Sequence, residues 1–234
     1  MARAVKEEEY AAKRKEILDV ARQLVFSKGY EQMSIQDILD ALKISKGAFY
    51  HYFDSKPALL DGLLELMIAE GEAVLTPVVT DPKLGAIEKF TRYFNAAGRF
   101  KTERKEFLLA LLRVWYADDN AIVRQKQQTL AVDHVAPLVA TMIRQGVEEG
   151  VFKVSHPEQT AKVIMALAVS VGDAWATLLL LPEPPPDAEQ QIVNSVAAYS
   201  EAVERVLGAP PGSLPLMNDE LVKEWLPAVG EKVQ

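Results

Sequence analysis

The chain has 234 residues, of which 49% are hydrophobic and 25% charged, the balance of a folded soluble protein and not of a disordered one. It has no cysteine, which excludes disulfides, thiolate metal sites and cysteine nucleophiles. The formal net charge is −7, but residues 1–56 hold ten Lys/Arg against nine Asp/Glu, so the acidity lies further along. Charge therefore permits a nucleic-acid partner for the N-terminal segment without demanding one. The opening stretch from Met1 to Tyr10 is charged and has no apolar h-region, so no secretory signal is expected.

Periodicity is helical nearly throughout, with no strand-like alternation and no internal repeat. A first helix is expected over 9–27, with Ile17, Leu18, Ala21, Leu24 and Val25 on one apolar face and Gly29 as its stop. Ser34 opens a short second helix, and Asp37 at its third position makes a capping-box start. Ile35, Ile38, Leu39 and Leu42 face its inside. After a turn at Lys43 and Ile44, Ser45 caps a third helix over 46–53, which Asp54 and Ser55 break. Ser55 caps a long fourth helix, with Pro57 tolerated in its first turn and Leu59, Leu60, Leu63, Leu64 and Met67 on its face.

Pro77, with Asp81 and Pro82, marks the next break. Helices fit 84–99, 105–116 and 120–149, the last kinked or interrupted by Pro137 and ended by Gly150. The pair Glu148 and Glu149 reads as a solvated helix end. Ser155 and Glu158 suggest a second capping box, opening an apolar helix over 158–181. That helix approaches a membrane span in length. Asp173 in its middle would cost roughly 2.5–3.5 kcal/mol at a bilayer centre, so burial against protein is expected and a membrane is not. A proline-rich loop, 182–186, precedes a helix over 187–207. The tail, 208–234, holds at most one short helix around 218–225, docked by Trp225 and Leu226.

Three short helices within about fifty residues, the second and third joined by a tight turn, have the spacing of a helix-turn-helix. The third is too short to be stable alone. Phe49 and Phe53, four apart, put two rings on the side that packs. The other side carries Lys46, Gly47, Tyr50 and, further round, His51, small and polar enough to enter a major groove about 12 Å wide.

The run Ser45-Lys46-Gly47-Ala48-Phe49-Tyr50-His51-Tyr52-Phe53-Asp54-Ser55-Lys56, followed by Leu59 and Leu60, resembles the recognition helix of the TetR family of bacterial regulators. Met33-Ser34-Ile35-Gln36-Asp37-Ile38 is similar to that family's second helix, and the likeness runs without a gap over 17–63. Gly146-Val147-Glu148-Glu149-Gly150-Val151-Phe152 resembles the turn leading to the family's dimerisation helices.

The resemblance implies an all-α fold, with a helix-turn-helix DNA-binding domain at 1–55 and a ligand-binding and dimerisation domain at 56–234. It implies that Gln36, Lys46, Gly47, Ala48 and His51 face base edges, and that Ser34, Tyr50, Tyr52 and Lys56 hold phosphate oxygens. Ser34 and Lys56 stand at helix N-termini, where free N–H groups attract anions. The position before Ile44, commonly glycine in the family, is Lys43 here; a left-handed backbone there would cost on the order of 1 kcal/mol.

The implied partners are a palindromic double-stranded DNA operator, a second copy of the chain joined through the helices near 158–181 and 187–207, and a small-molecule effector. Phe90, Tyr93, Phe94, Phe107, Leu112, Trp115, Tyr116 and Met142 are the expected effector wall, with Arg113 at its polar end. The same residues also suit an ordinary core, and His51 an ordinary surface histidine. His51, His134 and His156 have no metal-ligand spacing, and no phosphate loop or nucleophile elbow is present. The expectation is a cytoplasmic repressor without catalytic residues, metal or cofactor.

Overall fold

The computed structural model describes residues 2–116, 121–217, 221 and 223–225, with side chains from residue 7 onward except those of 122, 123 and 127. Among the described residues the ordered elements are helices: α1 (Ala2–Lys28), α2 (Ile35–Leu42), α3 (Lys46–Tyr50), α4 (Lys56–Thr80), α5 (Ala86–Thr102), α6 (Lys105–Trp115), α7 (Ala121–Glu148), α8 (Pro157–Leu179) and α9 (Ala188–Leu207). The chain packs as two compact units, one of Met1–Glu70 with Glu106–Gln127, the other of Gly71–Lys105 with Gln128–Gln234.

The first unit is built on the apolar faces read from the sequence. Ile17, Leu18, Ala21 and Val25 of α1, Ile38 and Leu39 of α2, Phe49 and Phe53 around α3, and Leu59, Leu60 and Leu63 of α4 form one core. Phe107, Leu111 and Val114 of α6 complete it. Their spacing puts them on one helical face, so α6 buries its stripe here. α1 begins seven residues earlier than expected. Its polar first turns need no core, and exposed pairs such as Lys13–Glu16 and Lys15–Asp19, each 2.7 Å, support it along its surface. α3 ends at Tyr50, three residues before the expected stop, because the backbone tightens there: Tyr52 N donates to Phe49 O at 2.9 Å.

The second unit's core joins Leu75 and Val79 of α4, Phe90 and Tyr93 of α5, Val139, Met142 and Ile143 of α7, Ile164 of α8, and Val203 and Leu207 of α9. Neither interior proline breaks its helix. α4 continues through Pro77 to Thr80, and α7 runs through Pro137. An interior proline costs about 3 kcal/mol. Here its neighbours are locked in the core, Leu75 and Val79 around Pro77, Ala136 and Val139 around Pro137. Burial of those side chains offsets the penalty.

α8 also starts differently from the expectation. Its N-cap is His156, without a side-chain cap bond, and Pro157 occupies the first turn. Glu158 turns away from Ser155 to pair with Arg144 of α7 at 2.6 Å. Glu149 is not merely solvated: its Oε2 accepts from Ala86 N at 2.9 Å, capping α5, whose own N-cap is the side-chain-less Gly85. Gln145 holds it there, donating to Glu149 Oε1 at 2.6 Å and to Leu84 O at 2.8 Å. At the end of α7, Val151 N and Phe152 N both donate to Gly146 O at 2.9 Å, with Gly150 at φ 74°. The Phe152 ring then lies over Gly146 and meets Phe90 edge-on at 5.3 Å.

Beyond α9 the chain is laid along α5. Glu204, buried, accepts from Gly212 N and Leu214 N at 2.9 and 2.8 Å. Leu214 and Leu216 enter the core. Asn95 donates to Pro215 O at 3.3 Å, Trp225 Nε1 donates to Thr102 Oγ1 at 2.9 Å, and Lys105 Nζ donates to Glu224 O at 2.7 Å. The expected helix over 218–225 falls partly outside the described residues, as does Leu226; Leu221 and Lys223 are helical.

Gly62 of α4 sits tight against α1 and Phe53. A Cβ there would stand 2.8 Å from Phe53 Cε1 and 3.1 Å from Leu18 Cδ2, both buried. Gly62→Ala is expected to destabilise the first unit by about 1–3 kcal/mol despite alanine's better helix propensity, measurable as a lower midpoint in urea unfolding.

Candidate nucleic-acid interface

Two caps and a strained turn set the geometry of α2 and α3. Ser34 Oγ accepts from Asp37 N at 3.2 Å, and Asp37 Oδ2 accepts from Ser34 N at 2.7 Å, the full capping box. Lys28 pairs with the same carboxylate at 2.6 Å. These donors, Lys28 foremost and then Ser34, hold the Asp37 carboxyl well below the usual carboxylate range. Lys43 adopts the left-handed conformation, φ 52° and ψ 41°, and its N–H donates to Leu39 O. It is the single non-glycine residue with positive φ among those described. Ser45 then caps α3, its Oγ accepting from Ala48 N at 3.2 Å.

With its axis fixed, α3 divides into two flanks. Phe49 and Phe53 are buried, ring centroids 5.9 Å apart. Lys46, Gly47, Tyr50 and His51 are exposed, and Ala48 and Tyr52 are half-buried. Lys46 Nζ lies 5.9 Å from the Tyr50 ring, a loose contact that leaves its ammonium at the surface. A Cβ on Gly47 would meet nothing nearer than Ser45 Oγ at 3.9 Å, and its φ is not positive. Nothing within the chain calls for glycine there. A flank that must approach another surface closely does.

The other expected contact residues are already engaged within the chain. Gln36 donates to Asp40 Oδ1 at 2.7 Å, and the Ser34 hydroxyl donates to Asp37 Oδ2 at 2.6 Å. Lys56 lies over the Tyr30 ring at 4.4 Å and donates to Glu31 O at 3.1 Å. Burial, followed by the charges of Glu31 and Asp61, pushes the Tyr30 phenol up to about 12. Tyr52 and His51 meet a residue that the motif does not contain. Tyr10 of α1 lies 4.7 Å from the Tyr52 ring and 5.5 Å from the His51 ring. Helical spacing from Tyr10 to Arg14 and Ile17 is the one sequence signal that puts this tyrosine on the packed side of α1.

The expected effector residues divide between the two units. Phe90, Tyr93 and Met142 are buried in the second core, with Phe94 packed against them; Phe90 and Phe94 stack at 6.0 Å. Burial first, then the Glu72 charge, raises the Tyr93 phenol, and burial raises Tyr199 beside it. Phe107 is buried in the first core, and Trp115 packs against it. Leu112 is half-buried and Arg113 exposed. Tyr116 lies under the Arg124 guanidinium at 4.5 Å. Among the described residues the buried Trp115 Nε1 has no hydrogen-bond partner.

These elements define an all-α protein with an N-terminal helix-turn-helix. Residues 17–63 match the family model described as bacterial regulatory proteins, tetR family, and residues 113–174 match a tetracyclin repressor-like C-terminal domain. The recognition segment and the helical remainder thus point the same way, each matching a domain of TetR-family regulators. It is similar to the uncharacterized HTH-type transcriptional regulator YuxN of Bacillus subtilis, 52% identical over 52 residues, 22% of this chain and 18% of that one. It is also similar to the HTH-type transcriptional regulator EthR of Mycolicibacterium smegmatis, 25% identical over 138 residues, 52% of this chain. The match spans 64% of EthR, so both alignments cover less than two thirds of the relative's length. A TetR-family transcriptional regulator of Pectobacterium atrosepticum has the same fold, with a TM-score of 0.63 and 19% identity, covering 87% of this chain and 98% of that one.

The Asp37 carboxylate gives the α2 cap a pH dependence. Its folded pKa is depressed below the ordinary 3.8, so its stabilisation is complete above that value and is lost as pH falls toward the folded pKa. Asp37→Asn is expected to lower stability at pH 7 and to flatten the loss on acidification below about pH 4, read by urea unfolding across pH.

Proposed function

We propose that the chain is a homodimeric, ligand-responsive transcriptional repressor. Residues 1–55 read a palindromic DNA operator, and residues 56–234 bind an apolar or aromatic effector and dimerise. The observation that carries this reading is the two-sided α3: buried Phe49 and Phe53 fix one flank, while Lys46, Gly47, Tyr50 and His51 stand exposed on the other. Base-edge contacts from Lys46, Gly47, Ala48, His51 and Gln36 give specificity. Ser34, Tyr50, Tyr52 and Lys56 fix register on phosphates, Ser34 and Lys56 by releasing internal partners. The family and the relatives' names are those of regulators, and we read the chain as no enzyme. Its place of work is then the cytoplasm.

A partner for α8 supports dimerisation. This helix is apolar and long enough to cross a membrane, yet little of it is buried within the chain. Val163 is 49% exposed, Ala166, Ser170 and Gly172 are exposed, and a Cβ on Gly172 would meet nothing within 4 Å. Small residues along an open face suit close approach by a second α8, with α9 packed alongside in a four-helix bundle. Asp173, bonded by Gln128 at 2.7 Å, fits such a bundle better than lipid.

Two recognition helices must then lie about 34–36 Å apart, or a small multiple, to enter successive major-groove faces. The effector acts in the cluster of Phe90, Tyr93, Phe94 and Met142 in the second unit; Phe107, Leu112, Arg113, Trp115 and Tyr116, also expected to bind it, belong to the first unit. α4 contributes Leu59, Leu60 and Leu63 to one core and Leu75 and Val79 to the other, which makes it the element an effector displaces. The shift is bounded by the effector's preference for the non-binding spacing.

Gly47→Leu separates fold from function. It is expected to leave thermal stability intact, since the space is open, while operator affinity in a gel shift falls at least tenfold. Lys56→Ala is expected to lower the salt slope of binding by roughly one. Unchanged binding in both would remove the DNA reading. Ala166→Arg is expected to convert the dimer to a folded monomer in analytical ultracentrifugation; a persistent dimer places the interface elsewhere.

A further inference from the structure

We infer that Tyr10 of α1, outside the helix-turn-helix, is a positioning residue that presets the far end of the recognition helix for base reading. This rests on the DNA-binding reading above and deepens it by adding a determinant of specificity.

His51 and Tyr52 lie where helical geometry no longer fixes side chains. α3 ends at Tyr50, and His51 is its C-cap. Phe49 and Phe53 hold the backbone from inside, but neither dictates where the rings of His51 and Tyr52 point. Tyr10 does. Its ring tilts 32° to the Tyr52 ring at 4.7 Å and meets His51 edge-on at 5.5 Å, while His51 meets Tyr52 edge-on at 5.1 Å. Three rings, one from α1 and two from the turn that ends α3, therefore close on one another.

Tyr52 packs against the first unit's core, but the other two rings stand outside it. Tyr10 is 39% exposed and His51 is exposed. Core packing thus gives no reason for a tyrosine at position 10, and its removal leaves the buried apolar residues untouched. What the ring supplies is order. A side chain held in one rotamer before binding avoids the entropy cost of fixing it on DNA. The flat face makes the contacts, so the hydroxyl is dispensable. The residue also lies ahead of the stretch 17–63 that matches the family model, which makes it a feature of this chain beyond the motif.

The test uses the full chain and a duplex that the unaltered protein enriches from a random pool, with affinity read by fluorescence anisotropy. Tyr10→Phe is expected to bind within twofold. Tyr10→Ala is expected to bind about five- to tenfold more weakly, from the loss of two ring contacts. Its salt slope should not change, because no charge contact is lost. Re-selection with Tyr10→Ala should broaden the preference at one or two base positions. In a His51→Ala background, the same change should cost less than alone. Should Tyr10→Ala fail to fold, Tyr10→Leu keeps apolar bulk without the flat ring and is expected to show the same loss. Wild-type affinity and preference in the alanine or leucine variant overturns the inference. So does a Tyr10→Phe loss as large as that of Tyr10→Ala, which would make the hydroxyl a direct DNA contact. If the unaltered protein enriches no duplex, the DNA reading falls and this inference with it.

Discussion

Two phenylalanine rings decide whether this molecule has a recognition helix at all. α3 is five residues long, well under the length at which a helix persists in water. Phe49 and Phe53 stay in place only because they complete a core made by α1, α2, α4 and α6. Burying each is worth about 1.5–3 kcal/mol, so it takes both rings together to match the roughly 4 kcal/mol that nucleating one helical turn costs. The same anchoring leaves the opposite flank without any structural duty. That is why glycine, lysine and histidine can stand there, and why those positions are open to a partner's chemistry.

The strain at Lys43 belongs to the same logic. Its left-handed backbone costs on the order of 1 kcal/mol, yet it turns the chain between α2 and α3 so that both rings point inward. Ser34, Ser45 and Ser55 close the N-termini around it, the last by accepting from Ala58 N at 3.1 Å. Packing extends the unit well beyond the helix-turn-helix itself. Phe107, Leu111 and Val114 come from far along the chain, and a fragment ending at residue 55 would lack them along with Leu59, Leu60 and Leu63. The reading head and its support are thus different stretches of sequence.

How much was legible beforehand depended on range. The capping box at Ser34, the cap at Ser45, the inward rings of Phe49 and Phe53 and the faces of α1 and α4 are local patterns, and periodicity with cap chemistry reveals them. Pro77 misled, and Pro137 leaves α7 uninterrupted, because a helix breaker's effect depends on how firmly its neighbours are held, which only tertiary packing decides. Ser155 and Glu158 misled because Arg144, on another helix, outcompetes the local cap for the carboxylate. Glu149 and Tyr10 escaped notice for the same reason: their partners, Ala86 and the His51–Tyr52 pair, are distant in sequence. The aromatic residues after α4 could be read as a wall, but their division between two cores could not.

The stretch laid along α5 has a bearing on how the chain is made. Its anchors, Trp225 on Thr102 and Lys105 on Glu224, join residues 123 and 119 positions apart. At a synthesis rate of about 5–20 residues per second, the outer side of α5 waits roughly 6–25 s for its cover. During that interval α5 lacks the cover that this stretch later provides, and the core that Leu214 and Leu216 complete stays open.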